Sequence, residues 1–287
     1  MSLNTGLVAF WKLDEATAAQ RNDSVGTSHL ADNNSVVQIA GKVGDAASFT
    51  GSSSQYLSIN DNAALSMGSG VDFTLAAWYW VNSAAVSSDG IISKGGVSEY
   101  FMDVTFAAPR FICGGAGVVT AAVQTTGAWH FVVAWYDQTH TNIQVDNGAI
   151  VQTASTTDAP DAGGVFYIGR SPTVALFMTG KIDTVGIWKR VLTADERTEL
   201  WNAGAGLEPP FVSVYSQSVS GTGTFTATLS KQMSKALSAV GTWVATLTAT
   251  IMEAFRPTVR IAVRPAEDRT AEVPARNTTI VGSEDEE

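Results

Sequence analysis

The stretch Gly180–Trp201, GKIDTVGIWKRVLTADERTELW, organises the rest of the chain around it. It begins as a strand, in which Ile182, Thr184, Gly186 and Trp188 alternate with Asp183, Val185, Ile187 and Lys189. Both sets carry apolar side chains, which predicts a central strand covered on both faces. The period then changes. Thr193 with Glu196 three residues on is a capping box, which satisfies orphan N–H groups at a helix start. Leu192, Leu200 and Trp201 are placed to pin one short helix onto the sheet, with Gly204 and Gly206 expected to end it. Strand, single capped helix, glycine and then Glu208-Pro209-Pro210 predict the closing element of a β domain, with one sandwich before it and something different after.

The sequence before this element agrees. Short apolar runs follow one another with turn signals between them: Leu7–Leu13, Ala47–Thr50, Tyr56–Ile59, Phe73–Val81, Ile91–Lys94, Tyr100–Phe106, Arg110–Cys113, Trp129–Tyr136, Asn142–Val145, Ala149–Thr153 and Val165–Gly169. Asp146-Asn147-Gly148 is a two-strand hairpin signal, and Asp14–Asn34 reads as polar turns. Regular short strands of this kind predict an antiparallel sandwich or jelly roll. Of the 287 residues, 45% are apolar and only 15% charged, as in a folded protein. The net charge of −10 lacks the basic patch that nucleic-acid binding needs. The single Cys113 excludes an intramolecular disulfide, and no secretory signal pattern opens the chain, so folding in a reducing cytoplasm is expected. The Thr-rich run Ala236–Phe255 contains Gly241 and Glu253 and alternates with period two, which argues against a membrane helix.

In order, GLVAFWKLDE, NDSVG, AASFTGSSSQYLSI, DFTLAAWYWV, GIISKGG, GAWHFVVAWYD with VDNG, FYIGR and GKIDTVGIWKRVLTADE resemble the laminin-G-like, concanavalin A-like lectin/glucanase domains over residues 6 to 206. The resemblance implies an all-β, antiparallel two-sheet jelly-roll sandwich with one short capped helix, and commonly a glycan- or protein-binding role. It also implies a calcium ion near the sheet rim, for which the matching positions are Asp23 in NDSVG and Asp183 in GKIDTVGIW. The plainer expectation is that Asp23 makes an Asx-turn and Asp183 accepts from nearby backbone N–H groups. Glucanases of this fold carry alternating Glu, Asp and Glu on one strand. The closest composition here is SEDEE at 283–287, outside the sandwich, so no enzymatic activity is expected. His130 is expected as a hydrogen-bonded core or rim residue, and His29 and His140 as solvated. Trp80, Tyr100 and Trp135 are candidates for stacking on a sugar, but no glycan site is located by sequence.

Past Leu207 the texture changes, giving three segments: the sandwich at 1–206, a repetitive β segment at 207–258 and an extended arm at 259–287. GTFTATLSKQMSKALSAV (223–240) aligns with GTWVATLTATIMEAFRPT (241–258). The eighteen-residue period puts Phe225, Leu229, Met233 and Leu237 in register with Trp243, Leu247, Ile251 and Phe255. Such a stripe cannot cover itself, so these residues are expected to mediate assembly into a homo-oligomer, a trimer in the simplest case. In 263–278, VRPAEDRT and VPARNT place proline nine residues apart, which favours an edge strand or extended arm. These segments resemble parts of tailed-phage head and fibre proteins. That resemblance implies a capsid decoration or head-fibre protein on the virion surface, made in the host cytoplasm and attached to the major capsid protein or another virion protein through 207–287, with cell-surface glycan as a further partner. The alternatives are a cellular carbohydrate-binding or adhesion module, or a tail fibre.

Overall fold

A computed structural model describes residues 2–83, 89–96, 98–172, 176–211, 217–219 and 237–239. The chain divides into two units, Met1–Phe211 and Val212–Glu287. The described part of the first contains β1 (Leu7–Trp11), β2 (Ala31–Asn33), β3 (Val37–Ala40), β4 (Asp45–Phe49), β5 (Tyr56–Ile59), β6 (Phe73–Val81), β7 (Asp89–Lys94), β8 (Tyr100–Thr105), β9 (Ala108–Cys113), β10 (Gly117–Thr120), β11 (Trp129–Tyr136), β12 (His140–Val145), β13 (Ile150–Ala154), β14 (Phe166–Ile168), β15 (Gly180–Trp188) and α1 (Ala194–Trp201).

Two antiparallel sheets form a jelly-roll sandwich. One runs β13-β12-β11-β6-β15-β4-β3, with β1 also paired to β15; the other runs β10-β9-β8-β7-β14-β5-β2. The expected strands are present, and three more appear at β2, β3 and β10. Each is a sheet-edge segment of three or four residues. Paired on one side only, they are too short to develop an alternating pattern, and the neighbouring strand fixes them.

β15 is central, as predicted, with β6 on one side and β4 then β1 on the other. Its alternation differs from the sequence expectation. The register against β6 shifts between Asp183 and Gly186, and Thr184 takes a positive φ of 42°. This bulge moves one residue out of the pleat, so Ile182 joins Val185 and Ile187 in the inter-sheet core, while Trp188 belongs to a second apolar cluster. The bulge lies where the neighbour changes from β4 to β1.

The inter-sheet core includes Trp11, Phe73, Tyr79, Tyr100, Phe111 and Phe166. The second cluster (Leu3, Phe10, Trp78, Phe131, Trp188, Leu200 and Phe211 among its members) packs α1 and the segments at Leu3 and Phe211 over the first sheet. Gly186 is required by close approach, since a Cβ there would lie 2.5 Å from the Trp188 ring and 3.0 Å from Phe10. Trp78 and Trp201 stack with centroids 5.2 Å apart.

The capping box forms as predicted. Thr193 Oγ1 accepts the Glu196 N–H, and the Glu196 carboxylate accepts the Thr193 N–H at 2.9 Å. Glu196 also receives both arms of the Arg190 guanidinium at 2.7 and 2.8 Å. The helix is capped two residues before Gly204: Asn202 takes the left-handed cap (φ 47°), and Gly204 lies in a following 3₁₀ turn. Asparagine tolerates this conformation because its short side chain bonds locally, here to the Gly206 carbonyl at 2.8 Å. The Asp146-Asn147 hairpin also forms, with φ of 50° and 54° at its central residues.

In the second unit the described backbone comprises β16 (Gln217–Val219) and β17 (Leu237–Ala239), paired in parallel with Gln217 opposite Leu237. The pairing offset is twenty residues (237 − 217), two more than the sequence repeat. Apart from the backbone of Leu237, the expected assembly residues Phe225, Leu229, Met233, Trp243, Leu247, Ile251 and Phe255, and the arm 259–287, lie outside the described residues.

Candidate functional site

The two outer faces of the sandwich are built differently. That of the first sheet lies beneath α1, and the aromatic residues there are engaged in packing. Trp135 is buried under the Arg197 guanidinium, 4.3 Å from its ring centroid. Tyr100 belongs to the inter-sheet core and donates its hydroxyl hydrogen to the Leu65 carbonyl at 2.8 Å. Neither can stack on a sugar as placed. Trp80 is half-buried, with Trp129 edge-on at 6.0 Å and the Lys181 ammonium 4.3 Å over its ring.

The second sheet carries a different cluster. Along β14, Phe166 and Ile168 face the core, so Tyr167 between them faces outward. In β5, Leu57 faces the core and Tyr56 outward. Pairing Tyr167 with Ser58 puts the two tyrosines side by side, with ring centroids 5.7 Å apart. The chain leaves β14 through Gly169-Arg170 and returns at Phe177, whose backbone bridges that of Arg170. The Arg170 guanidinium carbon then lies 4.6 Å from the Tyr167 ring centroid, 5.1 Å from Tyr56 and 5.6 Å from Phe177. All four residues are half-buried. Farther across the sheet, Asp103 holds Arg110 in a two-point ion pair at 3.0 and 2.5 Å. Asp89 at the start of β7 is pushed up to about 6 by burial, against the N–H of Thr179 that its carboxylate accepts. The arrangement offers aromatic surface with a fixed cation at its centre, suited to a polar ligand with apolar C–H faces.

Sequence reasoning missed this cluster. FYIGR and QYLSI both belong to the quoted pattern, but positions 56, 167, 170 and 177 meet only through the β5–β14 pairing and the 170–177 bridge.

Asp23 and Asp183 each hold a different loop. Asp23 Oδ1 accepts the N–H groups of Phe10 and Val25, and Oδ2 that of Ser28, all at 3.1 Å. Asp183 Oδ2 accepts those of Lys42 at 2.6 Å and Val43 at 2.9 Å. Burial, with Asp14 nearby, raises the Asp183 carboxyl to about 7, although the N–H donors pull the other way. As placed, these carboxylates direct their lone pairs at backbone donors instead of converging on a cation. Among the described residues no group of three His, Cys, Asp or Glu side chains is arranged to hold a metal.

His130 bridges the hairpin. Its Nδ1 lies 2.6 Å from Asp146 Oδ2, and its Nε2 lies 2.9 Å from the Thr125 carbonyl. The Asp146 hydrogen bond raises its pKa, which favours the protonated ring that can donate to both acceptors. His29 is also engaged, its Nδ1 accepting the Asp23 N–H at 3.0 Å. The buried Lys94 ammonium meets Asp61 at 2.8 Å, Glu99 at 3.1 Å and Asp161 at 3.8 Å. These carboxylates serve the ammonium ion, with Glu99 also accepting the Ala162 N–H.

A two-sheet jelly roll closed by one capped helix defines a lectin-like domain class. The profile described as "Concanavalin A-like lectin/glucanases superfamily" matches residues 49–196. The chain belongs to this superfamily. No curated protein sequence matches it. Among solved structures it is similar to domain 4 of AbnA, a GH43 extracellular arabinanase from Geobacillus stearothermophilus in complex with arabinotriose, with 16% identity, 67% of this chain and 97% of that one covered, and a TM-score of 0.52. The binding domain of Paraclostridial Mosquitocidal Protein 1 gives 11% identity, 69% and 52% coverage and a TM-score of 0.56. Trypanosoma rangeli sialidase in complex with sialic acid gives 16%, 71%, 34% and 0.53. The chain thus spans about half of the second and a third of the third. At these identities the likeness is one of fold.

Proposed function

We propose that the sandwich is a non-enzymatic glycan-binding domain and that its ligand sits on the aromatic cluster of the second sheet. The observation that carries this is the half-buried group of Tyr56, Tyr167 and Phe177 around Arg170, on the outer face opposite the one covered by α1. Large rigid rings with polar tips give contact area at low entropic cost. The similar structures lend support, since the arabinanase domain is seen with arabinotriose and the sialidase with sialic acid. The superfamily also includes glucanases, but the buried carboxylates of Asp23, Asp183 and Glu99 hold backbone N–H groups or the Lys94 ammonium, which favours binding over hydrolysis.

The test is calorimetric titration of the full chain with a panel of plant and animal oligosaccharides. Binding should weaken at least tenfold in Tyr56→Ala and Tyr167→Ala, with circular dichroism unchanged. Affinity indifferent to both substitutions would sink the assignment of the site.

We further propose that this domain is displayed on a tailed-phage virion as a capsid decoration or head-fibre protein, attached through residues 207–287. The support is the glycine-threonine repeat with its proline-punctuated arm in the sequence, together with the parallel pairing of β16 and β17. Many displayed copies would turn weak single-site binding into avidity. Light scattering of the full chain and of a 1–211 truncation tests this. An oligomer that becomes a folded monomer is expected, and equal monomers would refute assembly through the tail.

A further inference from the structure

Arg170 differs from the four other arginines whose side chains are described. Arg21 donates to the carbonyls of Ala16, Ala19 and Val36; Arg110 pairs with Asp103; Arg190 pairs with Glu196; and Arg197 donates to Gln144 and the Leu192 carbonyl. The Arg170 guanidinium has no hydrogen-bond acceptor among the described residues, and its Nε is buried without a partner. It is nonetheless held in place: three rings surround it, and the Arg170 carbonyl accepts the Ser93 hydroxyl at 3.1 Å.

A guanidinium presents five in-plane N–H donors in a rigid fork and accepts nothing. Rings within cation–π distance stabilise its charge but satisfy none of these donors. A buried donor without an acceptor costs free energy, and a carboxylate matches the fork with two parallel bonds. From this juxtaposition we propose that the cluster selects an acidic sugar, whose carboxylate is received by Arg170 while its C–H face lies against Tyr56, Tyr167 or Phe177. The inference rests on the glycan-binding assignment above and narrows it from glycans in general to those bearing a carboxylate.

Calorimetry on the full chain with four probes tests it: trigalacturonate and sialyllactose as acids, galactotriose and lactose as their neutral counterparts. At least one acid should bind ten times or more tighter than its counterpart, with the preference shrinking as sodium chloride rises from 50 to 500 mM. Arg170→Gln should abolish the preference. Arg170→Lys, which keeps the cation beside the rings but loses the fork, should retain only part of it and guards against a variant that fails to fold. Neutral probes binding as tightly as acidic ones, or a preference that survives Arg170→Gln, would overturn the acidic-sugar assignment and leave glycan binding standing. Binding of none of the four probes counts against both.

Discussion

Asp183 offers a quantitative test of the central strand. Its carboxyl is fully buried, carries the N–H groups of Lys42 and Val43 on Oδ2, and leaves Oδ1 without a partner. Its pKa is raised to about 7 in the fold, from an ordinary 3.8. A raised carboxyl pKa means that the folded state holds a proton the unfolded chain has already lost. Stability therefore falls as pH rises from about 4 to about 7, and is flat beyond. At 1.36 kcal/mol per unit, this one group removes up to ~4 kcal/mol over that interval. Asp183→Asn keeps an oxygen toward the two N–H groups and cannot ionise. Urea unfolding of wild type and variant at pH 4.5, 6 and 8 isolates the effect, because titration of other groups, such as Asp89 and His130, cancels in the difference. The two proteins should be nearly equal at pH 4.5, with the variant several kcal/mol ahead at pH 8. Asp183→Ala, which cannot ionise either but strands the Lys42 and Val43 N–H donors, should lie about 2–4 kcal/mol below Asp183→Asn at every pH. A wild-type-minus-Asn difference that does not change with pH would refute the reasoning.

Four further outcomes are expected. The His130 imidazole should titrate above its ordinary range by NMR, and Asp146→Asn should bring it back down; the tie stabilises the fold fully below pH 6.5 and is lost as pH rises through the folded-state pKa. Thr193→Ala removes the N-cap and should cost about 1 kcal/mol by thermal melting. Gly186→Ala should cost about 1–3 kcal/mol, because the new Cβ strikes the Trp188 ring, and a melt unchanged from wild type would contradict that packing. Calcium at millimolar concentration should leave the melting temperature unchanged; a saturable rise that disappears in Asp183→Asn would instead establish a metal site there.

The sequence by itself determined what is encoded locally. The capping box at Thr193 and Glu196, the Asp146-Asn147 hairpin and the long strands Phe73–Val81, Trp129–Tyr136 and Gly180–Trp188 are each specified by side chains a few residues apart, and each is present, the last with its alternation broken by the bulge. The order of these elements was also enough to mark the lectin-like class. Tertiary structure decided the rest. Edge strands β2, β3 and β10 exist because a neighbour pairs with them. The bulge at Thr184 arises where β15 changes partners, and it reverses which residues face the core. That Asp183 accepts backbone N–H groups is one expectation from sequence, but that they come from a loop 140 residues earlier was decided by the fold. The Arg170 cluster draws on positions 56, 167, 170 and 177, and no periodicity in a linear chain records that two strands more than a hundred residues apart will lie side by side.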